Sequence, residues 1–338
     1  MKTWIVLFAV CILTACTALP PSQPIYDAHV AAFRAAHPYT EHTLLRADGH
    51  RVNAREFNPV SKGRLQTLVL MHGFPDNQHL YDLLIPALAA RFHIVTFDFV
   101  GWGKSEKPAG HLYDVASQKA DLDAVVSQLQ LHKVVLVLHD LSGQSGIDWA
   151  LDHPDQIEAL VLLNTYYSPM PSLIAPEAIH FYATPGLLRD LAVWGATKSG
   201  INFQNGVGGQ LARFFSNPAA RDAYIPIITN ASVSIRPAFF SSTSVLWQEL
   251  EARRGMVPRL KLFAKPVHII FGEDDPYLNP GVAHEFAAIF PTASLSLVQK
   301  AGHYVQLDQP RAVAQLLQAQ LAAQRQVEPP PPMHGRLP

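Results

Sequence analysis

Residues 133 to 146, Lys-Val-Val-Leu-Val-Leu-His-Asp-Leu-Ser-Gly-Gln-Ser-Gly, constrain the fold of this chain more than any other stretch. Val134 to Leu138 is an unbroken aliphatic run without polar alternation, the pattern of a strand buried on both faces. Small residues in helix-forming sequence follow at once, so the chain must pass from strand to helix through a very tight turn. In such a turn the apical residue is held in a strained backbone conformation. Its side chain then projects beyond the carboxyl end of the sheet, where open α/β sheets bind their ligands. Asp140 occupies that apex. Two serines compete for the role and fit less well. A Gly-x-Ser-x-Gly turn centred on Ser145 needs glycine at 143 and 147, but position 147 is Ile147, and the strand ends too early. Ser142 is flanked by Asp140 and Gln144.

The frame His139-Asp140-Leu141-Ser142-Gly143, with Gly146-Ile147-Asp148-Trp149-Ala150 behind it, resembles the nucleophile turn of the α/β-hydrolase superfamily, within it that of haloalkane dehalogenases and epoxide hydrolases. The resemblance covers about Glu41 to Ala322. It implies an α/β-hydrolase fold, a mostly parallel central sheet flanked by helices and carrying a helical cap insertion. With 338 residues and 49% hydrophobic content, one such domain with an inserted cap is expected rather than two independent domains. Lys and Arg number 26 against 27 Asp and Glu, and no basic run is present, so nucleic acid is not an expected partner.

The rest of the chain fits this frame. Glu41 to Leu45 and Arg51 to Phe57 read as strands joined by the hairpin signal Ala47-Asp48-Gly49-His50. Strands are also expected over Gln66 to Met71, His93 to Phe97, Glu158 to Leu163, Pro266 to Phe271 and Ser294 to Val298, and helices over Leu80 to Phe92, Asp114 to Leu131 and Asp308 to Ala322. The loop His72-Gly73-Phe74-Pro75 follows a strand, and the resemblance assigns the backbone N–H groups of Phe74 and Leu141 to an oxyanion hole. Asp98-Phe99-Val100-Gly101-Trp102-Gly103-Lys104-Ser105 lacks the spacing of a phosphate loop and reads as a structural turn. Some superfamily members carry their triad acid where this chain has Asn164, and an amide cannot supply the charge. The family pattern Gly-x-x-Asp instead selects Asp275, with Asp274 as the alternative, and Ala301-Gly302-His303 supplies the histidine.

The expected organisation is a signal segment over 1–15, a tether and N-terminal helix over 16–38, the first part of the core over 39–164, a cap over 165–258, the second part of the core over 259–324 and a Pro-rich tail over 325–338. Lys2 and the apolar run Trp4 to Leu13 fit a secretory signal, and Leu13-Thr14-Ala15-Cys16 resembles a bacterial lipobox. That resemblance implies lipidation at Cys16, a membrane contact through the lipid, and a place in the bacterial cell envelope. Thr17 to Pro24 has the composition of a tether.

An aspartate at the apex sets the expected chemistry. It is already anionic at neutral pH, so it can attack an sp³ carbon without a base and form an alkyl-enzyme ester, which His303, oriented by Asp275, then hydrolyses. No cofactor or metal is needed, and the partner is a small hydrophobic substrate. Phe74 and Leu141 stand where dehalogenases carry ring N–H donors for the halide, so an epoxide hydrolase is the first expectation and a dehalogenase the second. Epoxide hydrolases protonate the ring oxygen from cap tyrosines. The expected position holds Ala178, leaving Tyr182, His180 and Tyr224 as candidates. A catalytically silent, ligand-binding lipoprotein is the alternative of a different class. The sequence leaves the oligomeric state open.

Overall fold

The computed structural model describes residues 22–198, 200–230 and 234–327. The signal segment, Cys16, the start of the tether and the tail beyond residue 327 lie outside the described residues. Eight strands form one sheet: β1 (Thr40–Leu45), β2 (Arg51–Phe57), β3 (Thr67–Met71), β4 (His93–Asp98), β5 (Val134–Asp140), β6 (Ile157–Thr165), β7 (Val267–Gly272) and β8 (Ala293–Val298). Their order is β1-β2-β4-β3-β5-β6-β7-β8. The hairpin β1/β2 and the β2/β4 pair are antiparallel, while β3 to β8 are parallel throughout. β5 sits in the middle, paired with β3 on one side and β6 on the other, and Val134 to Leu138 are fully buried. That position explains the uninterrupted aliphatic run, since helices cover both faces of such a sheet.

The longer helices are α1 (Ser22–Ala36), α2 (Val115–Gln128), α3 (Ser142–Asp152), α4 (Glu177–Ala183), α5 (Leu187–Lys198), α6 (Gly200–Leu211), α7 (Pro218–Ile228), α8 (Arg236–Arg254), α9 (Pro280–Ile289) and α10 (Pro310–Val327). Asp114 caps α2 by accepting from the N–H of Ser117, which satisfies a donor that the first turn leaves unpaired. Between β6 and β7 the described residues form helices α4 to α8 and no strand. The parallel register brings the carboxyl ends of β3, β5, β6, β7 and β8 to one edge, so the loops that follow them converge there.

Three elements differ from the sequence expectation. Leu80 to Phe92 is not one helix but a 3-10 turn, Gln78–Tyr81, and a single α-turn, Ile85–Leu88. Asn77 starts the first turn early by accepting from His79 N–H, and Pro86 has no N–H to continue a helical ladder. Leu80, Leu84, Ile85 and Leu88 are nonetheless buried, so their periodic spacing meets the core without a regular helix. The helical sequence pattern Gly209 to Phe215 belongs to α6, which stops at Leu211 and passes into a 3-10 turn, Ala212–Phe214. The tether composition also misleads over Ser22 to Pro24, where α1 has begun; a proline in the first turn removes no helical bond.

The Asp98 turn is structural, as its sequence suggests. Asp98 Oδ1 accepts from Gln78 N–H (2.7 Å), Oδ2 accepts from Lys104 N–H (2.8 Å), and Ser105 Oγ donates to the Asp98 carbonyl (2.5 Å). Gly103 has φ +44°, and a Cβ there would lie 2.1 Å from the Asp98 carboxyl carbon. α1 docks against this core through His29, whose Nε2 lies 2.8 Å from Asp82 Oδ2. Its first residue reaches the other way: Gln204 of α6 donates to Ser22 Oγ (3.0 Å), which donates to Asn230 Oδ1 (3.1 Å).

Candidate active site

Asp140 ends β5 with φ +51°, a left-handed conformation that costs a non-glycine residue free energy and persists only where neighbours over-determine it. Those neighbours are specific. Thr165 Oγ1 donates to the Asp140 carbonyl (2.6 Å), and Ser142 Oγ accepts from His139 N–H (2.8 Å) while lying 3.1 Å from the Met71 carbonyl. α3 presses against this corner: a Cβ on Gly143 would fall 2.0 Å from Thr165 Oγ1 and 2.6 Å from the Tyr166 carbonyl. Ser142 and Ser145 are fully buried and spend their hydroxyls on backbone carbonyls.

The two oxygens of Asp140 have different surroundings. Oδ1 accepts from the backbone N–H of Phe74 (2.8 Å), and the N–H of Leu141 also donates to the carboxylate. Oδ2 faces His303, with Nε2 at 3.7 Å. On the other side of the imidazole, Nδ1 lies 2.9 Å from Asp275 Oδ2. The structure therefore brings Asp140, His303, Asp275 and the N–H groups of Phe74 and Leu141 into one constellation. Asp274 points elsewhere and accepts from Ser216 Oγ (3.0 Å).

Asn164 has a part in this arrangement that sequence reasoning did not give it. Its Nδ2 donates to Asp275 Oδ2 (3.0 Å) and its Oδ1 accepts from Gly272 N–H (2.8 Å), so it aligns the acid instead of replacing it. Asp275 Oδ1 accepts from the N–H groups of Tyr277 and Leu278. Three further groups were also missed. Asp308 accepts from the N–H groups of Gly302, Ser216 and Asn217, and His303 N–H donates to the Phe214 carbonyl, so the histidine loop is tied to the segment between α6 and α7. Asp76 is fully buried beside the site, accepts from Tyr304 OH (2.9 Å), and has Oδ2 3.9 Å from His139 Nδ1. Tyr166, two residues beyond Asn164, is buried close enough to Asp140 that burial and then the carboxylate's charge hold its phenol well above its usual range. Their places arise from burial and long-range contacts in the folded chain, and nothing in their local sequence marks them.

Burial dominates the electrostatics, and the charges decide each outcome. Burial raises the Asp140 carboxyl, opposed by His303 and the two N–H donors. Burial also pushes Asp76 up to about 7, aided by the Asp140 charge. For Asp275, burial would raise the carboxyl, but His303 and its hydrogen bonds bring it below the usual range. Burial would lower His303, yet Asp275, Asp140 and Asp76 together raise it to about 9. The resting site thus holds an imidazolium among three carboxyl groups.

The cap candidates separate. Tyr182 is half-buried with its ring on Phe239 and Phe240, at 5.5 and 5.4 Å between centroids, and Phe239 in turn packs on Phe74 at 4.8 Å. His180 packs on Trp247 (5.6 Å). Tyr224, expected with the nucleophile, is instead buried against His29 (5.5 Å), and its phenol feels Asp82 and Arg55. α7 packs on α1, which draws Tyr224 to the outer network. That network contains the one group with metal-ligand spacing among the described residues, His29, His79 and Asp82. Arg55 already occupies it, with Nη2 2.9 Å from Asp82 and Nη1 3.2 Å from His79, so its positive charge is supplied by the chain itself.

A model of the alpha/beta hydrolase fold family matches residues 66–310. The chain belongs to that family. This α/β-hydrolase is similar to haloalkane dehalogenase 2 of Mycobacterium tuberculosis, 25% identical over 261 residues that cover 75% of this chain and 87% of that protein. It is also similar to the cis-3-alkyl-4-alkyloxetan-2-one decarboxylase of Xanthomonas campestris, 27% identical over 276 residues, again 75% and 87%. With a fluoroacetate dehalogenase from a Burkholderia species it is 34% identical over 134 residues, which cover 37% of this chain and span less than half (44%) of that relative. Among solved structures, a bacterial membrane phospholipase A superposes with a TM-score of 0.68 at 19% identity, over 96% of this chain and 99% of the other, a likeness of fold.

Two predictions rest on this geometry. Asp275→Asn should lower turnover by orders of magnitude, about 10³ to 10⁴ by analogy with the acid of other triads, because the imidazolium loses its partner. Asp274→Asn should change turnover less than tenfold (about 1.4 kcal/mol); steady-state kinetics of both variants, with the reverse ranking, would refute the assignment. The second concerns pH. His303 is raised from 6.5 to about 9 in the folded chain, so its proton stabilises the fold fully below the unfolded value and that contribution is lost as pH climbs through about 9. In urea melts, the wild-type advantage over His303→Gln should therefore shrink between about pH 6 and about pH 10.

Proposed function

We propose that this α/β-hydrolase uses Asp140 as a covalent nucleophile and displaces an oxygen leaving group from an sp³ carbon of a small hydrophobic substrate, an epoxide being opened to a diol. The observation that carries the reading is the surroundings of Asp140: Oδ1 accepts from the Phe74 N–H, the Leu141 N–H also donates to the carboxylate, and Oδ2 faces His303 Nε2 at 3.7 Å. In the first step Oδ2 forms a bond to carbon, the carbon–oxygen bond of the ring breaks, and its electron pair stays on oxygen, which takes a proton from an acid. Tyr182, half-buried on the wall that includes Phe239 and Phe74, is the cap candidate, and Tyr166 stands beside Asp140. His180 is a third choice.

Esterification has an electrostatic consequence for the second step. It removes the charge of Asp140, one of the charges that hold the proton on His303, so the imidazolium gives up that proton to solvent more readily and a neutral imidazole is present once the ester exists. It then takes a proton from water as the water oxygen attacks Cγ of Asp140, and the oxyanion forms on Oδ1, against the N–H groups of Phe74 and Leu141. Collapse breaks the bond from Cγ to Oδ2, the departing oxygen takes the proton back from His303, and the diol leaves with a water-derived oxygen remaining on Asp140.

A halide leaving group is the second reading, favoured by the long match to a haloalkane dehalogenase. An oxygen leaving group is preferred because Phe74 and Leu141 offer no side-chain donor. The oxetan-2-one in another relative's name is, like an epoxide, a strained ring that contains oxygen. His303→Gln should stop after one event and accumulate an adduct on Asp140, read by intact mass after incubation with a panel of epoxides and alkyl halides. Epoxides add their whole mass and halides only the alkyl part. An adduct on Ser142 or Ser145 would refute the aspartate mechanism, and an inert wild type with no adduct would point to the silent binding protein.

We also propose that the mature chain begins at a lipidated Cys16 and is held at a bacterial envelope membrane. The sequence Leu13-Thr14-Ala15-Cys16 supports it. Cys16→Ala should leave the precursor unprocessed at that site, and a native N-terminus found unmodified at a later residue would exclude the anchor.

A further inference from the structure

Helix α5 is amphipathic in the wrong direction. Its inward face carries Arg189, Ala192, Val193 and Ala196, all half-buried. Its outward face carries the large apolar side chains: Leu187 is 75% exposed, Leu188 62%, Leu191 56% and Trp194 63%. A surface helix normally turns such residues to the core, and an exposed apolar patch of this kind on a folded protein marks a contact surface. Polar bonds hold the helix in place with the leucines outward. Arg189 Nε donates to the Tyr182 carbonyl (3.2 Å), and Arg236 Nη1 donates to the Ala196 carbonyl (2.6 Å). At the carboxyl end of the stripe, the Lys198 ammonium lies 6.0 Å from the centroid of the Trp194 ring.

We propose that this face of α5 rests on a lipid bilayer, with the leucines and Trp194 entering the interfacial layer and Lys198 among the headgroups. Two observations choose lipid as the occupant. The first is the residue set itself, aliphatic side chains, a Trp and a Lys on one stripe, which is the composition of a helix lying in a membrane interface. The second is where the remaining chain enters. Ser22 is bonded to Gln204, four residues (about 6 Å) into α6, the helix that directly follows α5. Cys16 lies six residues upstream of Ser22, which gives a reach of at most about 20 Å. The apolar run ending at Leu13 lies nine residues upstream, with a reach of at most about 30 Å. Whichever of the two enters the membrane, the cap side of the molecule is the side drawn to it. The first of these anchors is the lipidation proposed above, whereas the contact of α5 is read separately.

The test uses the full chain purified from membranes and reconstituted into vesicles of phosphatidylethanolamine and phosphatidylglycerol with acyl chains brominated near the headgroup. Bromine quenches only tryptophans that touch it. In a chain that keeps residues 1–15 Trp4 would also be quenched, so the signal is always the emission of the parent minus that of Trp194→Phe. That difference emission should fall at least about twofold on brominated lipid relative to unbrominated lipid, as for an interfacial tryptophan. Leu187→Ser/Leu191→Ser should remove most of the effect while retaining the parent's thermal melting curve. The proposal is overturned if the difference emission ignores bromine, whether acrylamide reaches Trp194 freely or a second copy or residues 4–13 shield it from both quenchers. Because the readout needs neither turnover nor a lipid on Cys16, its failure is distinguishable from failure of the proposed chemistry or of the anchor.

Discussion

Everything at the functional edge depends on one unfavourable backbone conformation, the left-handed φ of Asp140. An unconstrained chain would relax it, at a gain of roughly 1–3 kcal/mol. Here it cannot relax, because the central strand, the hydroxyls of Ser142 and Thr165 and the close approach of α3 each fix one side of the turn. The result is a carboxylate standing clear of the sheet, held by the Phe74 and Leu141 donors and with Oδ2 toward His303. Stability gathered by the buried sheet is thus concentrated in the geometry of a single side chain.

The electrostatics follow from the same crowding. Four titratable groups, Asp76, Asp140, Asp275 and His303, share a buried space, and one imidazolium offsets their charge. No member can gain or lose a charge without moving the others. Asn164 matters in that setting because it adds a hydrogen bond to Asp275 without adding a further carboxyl group.

Much of this was legible in the sequence, for a physical reason. Strands of a covered parallel sheet have an uninterrupted apolar signature, and all eight were placed to within a residue or two at most ends. The tight turn at Asp140 and the loops before Phe74, Asp275 and His303 are local events written in consecutive residues. What was not legible is pairwise and long-range. Asn164 and Asp275 are 111 residues apart, and Tyr304 and Asp76 are 228 apart. The broken segment after Asn77 and the placement of Tyr224 on His29 rather than with Asp140 were hidden for a related reason. Hydrophobic periodicity reports that side chains are buried, without saying against what.

The carboxylate of Asp308 binds the N–H of Gly302 on one side and those of Ser216 and Asn217 on the other, and Phe214 accepts from His303 itself. His303 is therefore positioned by the helical insertion as well as by the sheet. In evolutionary terms, the insertion and the histidine loop form one heritable unit: a lineage can vary α4 and α5 without disturbing the hold on His303, but exchange of the stretch from Phe214 to Asn217 for a foreign one requires a matching change at Gly302 or Asp308. Grafting the helical insertion of another hydrolase onto this sheet would exchange part of the support of His303 with it.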